Sequence, residues 1–422
     1  ATTDFTGDGL PDFAIASYND DSIVWLENRG LTTRQINGKV QYDADSNGCT
    51  TQDYGVVTKL VQATDSNFSL AAFTSAAGTY QLNLSDGNYT LSLPNTATHF
   101  GVSPLEPIVQ LNDALPAIES NFCITPAIAT EDLEISLYPT NSVRAGFDHQ
   151  LKMIVKNVGS VEKNAAIKLY HPANKLLFQS AEPQANASTA GVLEFTISNL
   201  QPLTERLLTV NFTVAVIPIV NLDEIVNIGV EIDDSAGDAT PDNNGASVNQ
   251  SVIASYDPND ITVFEGATVP IENANNYLHY RIRFENTGNT YADRVVIKTT
   301  LDSDLDWSTL QPEGASHNYF TTVRNGNEVT FTFNAIYLPA ASQNLAAAQG
   351  YVLFKIKPKN TVVVGTEVTA MAAIFFDFNP PIITNTATTT FVNTALDVDQ
   401  VAVEKMVLYP NPVDTLLRVS PT

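Results

Sequence analysis

Along the chain, short stretches of alternating apolar and polar residues are broken by Gly, Asn, Asp and Pro. Thr79-Tyr-Gln-Leu-Asn-Leu84, Tyr277-Leu-His-Tyr-Arg-Ile-Arg-Phe284 and Val329-Thr-Phe-Thr-Phe333 alternate strictly, the period of a strand with one face buried. Gly78, Asp86-Gly87 and Asn286-Thr-Gly288 fall between such stretches and supply turn geometry. Further strands are expected at 13–17, 22–27, 56–61, 68–73, 88–93, 132–138, 146–159, 166–170, 193–197, 206–214, 225–232, 295–300 and 351–357. Strands at this spacing predict an all-β fold of tandem sandwiches of immunoglobulin-like type. Pro380 and Pro381 follow an apolar run and must lie off a central ladder.

A chain of 422 residues holds about three or four domains. The punctuation divides it into 1–33, a β-hairpin repeat; 34–124, 125–254 and 255–393, each a sandwich; and 394–422, a polar linker and a further strand. Between the last two sandwiches lies Ser255-Tyr-Asp-Pro-Asn-Asp260. Pro258 fixes its own φ and pushes Asp257 toward an extended conformation. The stretch reads as a rigid corner, with a calcium-bridged hinge as the alternative.

Charge narrows the partners. The formal net charge is −25, which argues against nucleic acid and anionic membrane surfaces. No run of 18 apolar residues occurs, so no membrane insertion is predicted. Only 16% of residues are charged, so much of the polar surface must be Asn, Thr, Ser and Gln. The two cysteines, Cys49 and Cys123, read as one disulfide in an exported chain; two buried thiols are the other reading. Ala1 and Thr422 read as cut points in a longer, processed chain.

Two carboxylate groupings suit a hard cation, and calcium is the expected cofactor. Asp4, Asp8 and Asp12 recur every four residues, with Gly7 and Gly9 allowing a tight loop. Asp43, Asp45, Asn47 and Gly48, followed by Asp53, partly match a helix-flanked calcium loop. The distal Glu and the helices are missing. The acidic stretch 233–244 reads as a solvated turn or a third cation site.

Several segments resemble known families. Asp4 to Asn28, through Trp25 and Glu27, resembles one FG-GAP/VCBS calcium-binding repeat of the kind that builds propeller blades. Residues 34–124 resemble the prealbumin-like domains of bacterial surface proteins, whose Asp-x-Asp-x-Asn-Gly loop often carries calcium; Cys49 stands just after that loop, and we infer a bridge to Cys123. Tyr256-Asp-Pro-Asn-Asp260, Arg283-Phe-Glu-Asn-Thr-Gly-Asn289 and Phe375-Phe-Asp-Phe-Asn-Pro-Pro-Ile382 together resemble a domain widespread in secreted Bacteroidetes surface proteins. Tyr409-Pro410-Asn411-Pro412 resembles the opening of a type A C-terminal sorting domain. That resemblance implies export by the type IX secretion machinery to the outer-membrane exterior.

The search for catalytic chemistry yields no motif. The five histidines are scattered, and no H-E-x-x-H, G-x-S-x-G or phosphate-binding glycine loop occurs. His279 reads as a structural histidine. The sequence thus predicts a non-enzymatic, extracellular cell-surface protein, a stalk or filament subunit. Its expected partners are the secretion machinery, further copies of itself in a fibre, or surface glycan and protein ligands. An accessory β-region of a larger secreted enzyme, with catalysis upstream, is the alternative.

Overall fold

The computed structural model describes residues 34–393 except 113, 234–236 and 254–257, together with the backbone of five short strands near the two ends. The protein is all-β, built from immunoglobulin-like and prealbumin-like sandwiches. Near the start, Asp12–Ser17 and Ser22–Leu26 pair antiparallel, with Thr2–Thr3 added at the edge. Near the end, Met406–Tyr409 pairs with Arg418–Pro421.

The first sandwich is centred on Arg34–Tyr42, which pairs parallel with Phe122–Pro126 and antiparallel with Thr79–Leu84. Its facing sheet runs Ile108–Leu111, Gly87–Ser92, Leu60–Thr64, Ser69–Phe73. Inward positions of the alternating strands, Ile36, Val40, Leu82, Tyr89, Leu91 and Ile124, form the core. One expected strand moves: 56–61 is not a strand, because Thr58 takes φ +53°, a region that β-branched residues avoid. The ladder starts instead at Leu60. Phe122–Pro126 also runs across the boundary expected at 124.

In the second sandwich Leu133–Pro139, Asp148–Asn157, Glu205–Val214 and Leu176–Glu182 face the five-stranded sheet Ala187–Thr189, Val192–Leu200, Lys163–Tyr170, Ile225–Ile232, Gly245–Ser251. The third has the sheet Ile261–Val263, Leu278–Glu285, Gln349–Pro358, Leu305–Ala315. Its other main sheet is not its own. Phe320–Arg324 pairs antiparallel with Ser69–Phe73 of the first sandwich, Val323 opposite Ala71. One sheet of nine strands therefore runs through both, ending at Ile382–Ile383. Leu60 and Ala71 accordingly belong to the core of the third sandwich.

The second sandwich closes the arrangement. Tyr42 Oη donates to Ser160 O (3.1 Å) and Tyr54 Oη to Pro202 O (2.8 Å), joining it to the first. Arg281 Nη1 donates to Pro139 O (2.6 Å), joining it to the third. Tyr138 and Ile154 pack on Leu353 in a small apolar cluster across that seam. Each sandwich thus touches both others.

Candidate functional site

Among the described residues, two places gather titratable and metal-ligating side chains. The first is the loop after Arg34–Tyr42. Asp43, Asp45 and Asp53 each place a carboxylate oxygen within 4.8 Å of the others. The loop curls because Ser46 (φ +57°) and Gly48 (φ +97°) take left-handed backbone. Gly48 N–H donates to Asp43 Oδ2 (2.8 Å) and Asn47 N–H to Asp43 Oδ1 (3.2 Å). Gln41 Nε2 ties the far side by donating to Thr50 O (2.7 Å) and Asp53 O (3.1 Å). Asn47 joins through its amide, which donates to Asp45 Oδ2 (2.7 Å), rather than through an oxygen.

Asp43 has no exposed surface, shielded by its own thin loop rather than by the core. Burial pushes its carboxyl up. The N–H groups of Gly48 and Asn47 and the contact with Asp45 pull harder, so its pKa lies below the usual carboxylate value. Cys49 is bonded to Cys123 with Cα atoms 5.6 Å apart, pinning the loop to Phe122–Pro126. With both sulfurs in the disulfide, the cluster offers oxygen ligands alone, the donor set of a hard cation.

Of the other sequence-derived site residues, Asp4 and Asp8 lie outside the described residues. So do Pro410, Asn411 and Pro412, and Tyr256 and Asp257 of the corner. Asp12 opens one strand and Tyr409 closes another. Asp260 of the corner pairs with Arg283, whose Nε lies 2.6 Å from Asp260 Oδ1. From the acidic stretch, residues 237–244 clasp the second sandwich: Asp238 Oδ2 accepts from Leu133 N–H (2.9 Å), and Thr240 Oγ1 donates to Asp132 (2.9 Å).

The second place is one that sequence reasoning missed. A cavity of about 740 Å³ opens where the three sandwiches meet. Beside it lies a buried chain of charges. Lys355 of the third sandwich contacts Glu134 of the second. Lys156 of the second contacts Glu313 of the third and lies 3.8 Å from Glu205. Glu313 is also 3.7 Å from Lys355. Burial first, then the charge of Lys357, lower the Lys355 ammonium to about 7, while the Glu134 carboxylate in contact with it favours the charged form. Burial likewise pulls Lys156 down, but Glu313 and Glu205 outweigh it and its pKa is raised.

Two histidines sit near the same seam with opposite behaviour. His279 Nδ1 lies 2.7 Å from Glu265 Oε1; burial lowers its pKa, but Glu265 raises it further, and the net shift is up. Its contribution is present at low pH and is lost as pH rises through that raised value. His149 is fully buried. Burial first, then the charge of Arg281, lower its pKa from 6.5 to about 4. The unfolded chain therefore binds the extra proton between those values, so this contribution is complete above pH 6.5 and is lost on acidification toward pH 4. The expected total is about 3 kcal/mol at 1.36 kcal/mol per pH unit. Urea midpoints at pH 7.5, 6.5 and 5.5 check it: on the limb between pH 6.5 and 5.5 the parent should lose more stability than His149→Leu, which keeps only the opposite contribution of His279. A limb equally steep in the variant would remove His149 as its cause.

Residues 257–390 match the family described as Domain of unknown function (DUF7619). No curated protein matches the chain. Among solved structures, the chain is similar to the collagen adhesin of Staphylococcus aureus, at 14% identity over 63% of this chain and 93% of that one, TM-score 0.22. The N-terminal domain of a Streptococcus gordonii adhesin matches at 9% identity over 91% of this chain and 100% of that one, TM-score 0.25. The CARDB domain of a Pyrococcus furiosus protein, solved with di-metal ions, matches at 19% over 29% of this chain and 90% of that one, TM-score 0.22. At such scores the likeness carries no argument about what the chain does.

Proposed function

We propose that this chain is a non-enzymatic, load-bearing and adhesive part of an exported cell-surface protein. One observation carries the reading: where the three sandwiches meet, the titratable groups that converge are used to hold one sandwich to another. Lys355 with Glu134 and Lys156 with Glu313 cross the seam between the second and third sandwiches. The continuous sheet joins the first and third. In a stalk or filament, the repeating unit would be this closed block of three.

A disulfide suits the oxidising exterior, and the Tyr409–Pro412 motif supports export by type IX secretion. Disrupting that system in the source cells is expected to abolish surface protease-accessibility of the protein; unchanged accessibility would remove the export reading. Adhesion is tested with beads coated in the chain, which should stay attached to cell or matrix surfaces under flow. Retention no better than that of beads coated with an unrelated sandwich protein would count against it.

Calcium at Asp43, Asp45 and Asp53 is part of the same proposal. It would cancel repulsion among the carboxylates and stiffen the loop. At a hundred-fold excess over its Kd, a ligand that binds only the folded state stabilises by about 2.7 kcal/mol. Calcium should therefore raise the melting temperature, a chelator should reverse the rise, and Asp43→Asn should abolish both responses. A melting curve indifferent to calcium and chelator would remove the metal.

A further inference from the structure

One end of the third sandwich carries three aromatic rings in solvent. The register explains why they coincide. Val295 pairs with Phe333 on one side and with Phe376 on the other. The loops 286–294, 334–348 and 377–381 therefore leave the sheet at the same end. Each brings one ring: Tyr291 is 52% exposed, Tyr337 63% and Phe378 102%. The Tyr291 and Tyr337 centroids lie 6.2 Å apart with planes 53° inclined.

The loops are braced. Asp377 N–H donates to Arg294 O (2.9 Å), and Arg294 N–H donates back to Asp377 Oδ1 (2.9 Å). Ile336 N–H donates to Asp293 O (2.9 Å), and Ala292 and Leu338 exchange main-chain hydrogen bonds of 2.9 Å. The rings therefore stand on a preformed frame, which lowers the ordering cost of binding. The frame is also strained. Ala335 (φ +49°), Tyr337 (φ +47°) and Asp377 (φ +52°) all take left-handed backbone. That conformation costs free energy for a bulky residue. At Tyr337 the ring itself stands outside the core, while Ile336 packs against it and Leu338 is buried in it. Strain of this kind collects at binding sites.

The surroundings specify the ligand. The loops also present exposed amides: Asn289, then Asn334, Gln343 and Asn344, then Asn379. Two carboxylates, Asp293 and Asp377, flank a single guanidinium, Arg294, on a chain of net charge −25, so a polyanion is disfavoured. Flat apolar faces interleaved with amides match a neutral sugar, whose C–H faces stack on rings while its hydroxyls meet the amides. We propose that Tyr291, Tyr337 and Phe378 form the binding face for a neutral oligosaccharide. This deepens the adhesive reading by naming its ligand class.

The test is affinity electrophoresis of the whole chain in gels containing mannan, xylan, galactomannan or mixed-linkage glucan, with alginate and dextran sulfate as anionic controls and immobilised collagen as a protein control. Retardation is expected with at least one neutral polymer and with neither anionic one. Tyr291→Ala, Tyr337→Ala and Phe378→Ala should each weaken it about tenfold. Tyr337→Asn should lose binding yet melt no lower than the parent, because Asn tolerates the left-handed region. Absence of retardation in all four neutral polymers, retention only on collagen, or retardation unchanged in the triple alanine variant would overturn the proposal. Beads that still adhere while the neutral polymers fail would overturn the ligand class alone; beads that fail as well would take the adhesive reading with it.

Discussion

Glu313→Gln is expected to lower the unfolding free energy by about 3–5 kcal/mol, the usual loss when one partner of a buried ion pair is removed. The carboxylate of Glu313 is fully buried and serves two ammoniums, contacting Lys156 and lying 3.7 Å from Lys355. Gln keeps the shape and removes the charge. Lys156 then keeps only Glu205, 3.8 Å away and partly solvated, and Gln311 Oε1 at 3.4 Å. The penalty falls on the seam, so the effect should exceed a shift of midpoint. In a Trp25→Phe background, urea unfolding followed by Trp307 fluorescence, which then reports on the third sandwich, and by far-ultraviolet dichroism, which reports on the whole, should separate in the variant. Replacing the pair together, Lys156→Met with Glu313→Leu, should restore most of the loss, because Lys355 keeps Glu134 and only the partly solvated Glu205 loses its partner. Coincident, unshifted transitions in Glu313→Gln would mean that the charge chain does not hold the seam.

That seam was the part least legible in the sequence. Leu133-Glu-Ile-Ser-Leu137 alternates, which predicts one buried face and one wet face. The structure buries every position of Leu133–Pro139, because the third sandwich covers the polar side. Alternation reports which residues share a face; it does not report what covers the polar face. Lys355, a charged residue in the strand expected at 351–357, is covered in the same way, its side chain 1% exposed. The pairing of Ser69–Phe73 with Phe320–Arg324 was hidden too. It joins edges some 250 residues apart, and an edge carries no mark in composition that names its partner.

Much else could be read. The strictly alternating runs became Thr79–Leu84, Leu278–Glu285 and Glu328–Phe333 within a residue or so. Leu305–Ala315 escaped notice because Pro312 and Gly314 interrupt it and its pairing shifts register twice. Asp43, Asp45 and Asp53 were picked out by their spacing, and the fold brings them together. Nothing in the spacing showed that Asn47 would spend its amide on Asp45. The aromatic end was legible only in part: the Phe375–Ile382 motif stood out, while Tyr291 and Tyr337 carried no pattern until the register placed their loops beside it.

Replacing Cys49 and Cys123 by Ser should cost the first sandwich about 4 kcal/mol, because their bridge spans 74 residues of chain and a closed loop of that length removes about this much freedom from the unfolded state. The loss should be local: thermal unfolding of the first sandwich should move down before that of the others. A second consequence separates this from a generic destabilisation. Cys49 lies between Asp45 and Asp53, so the bridge holds the carboxylate loop against Phe122–Pro126. Without it the loop must be ordered by the cation itself, and calcium affinity should fall. The disulfide and the cation act on one loop, so their effects should not add: at a given calcium concentration the melting increment should be smaller in the Ser variant than in the parent, because the weaker binding stabilises the folded state less. Equal increments at equal calcium concentrations would show that the bridge and the carboxylates are independent, and would confine the disulfide to joining strands.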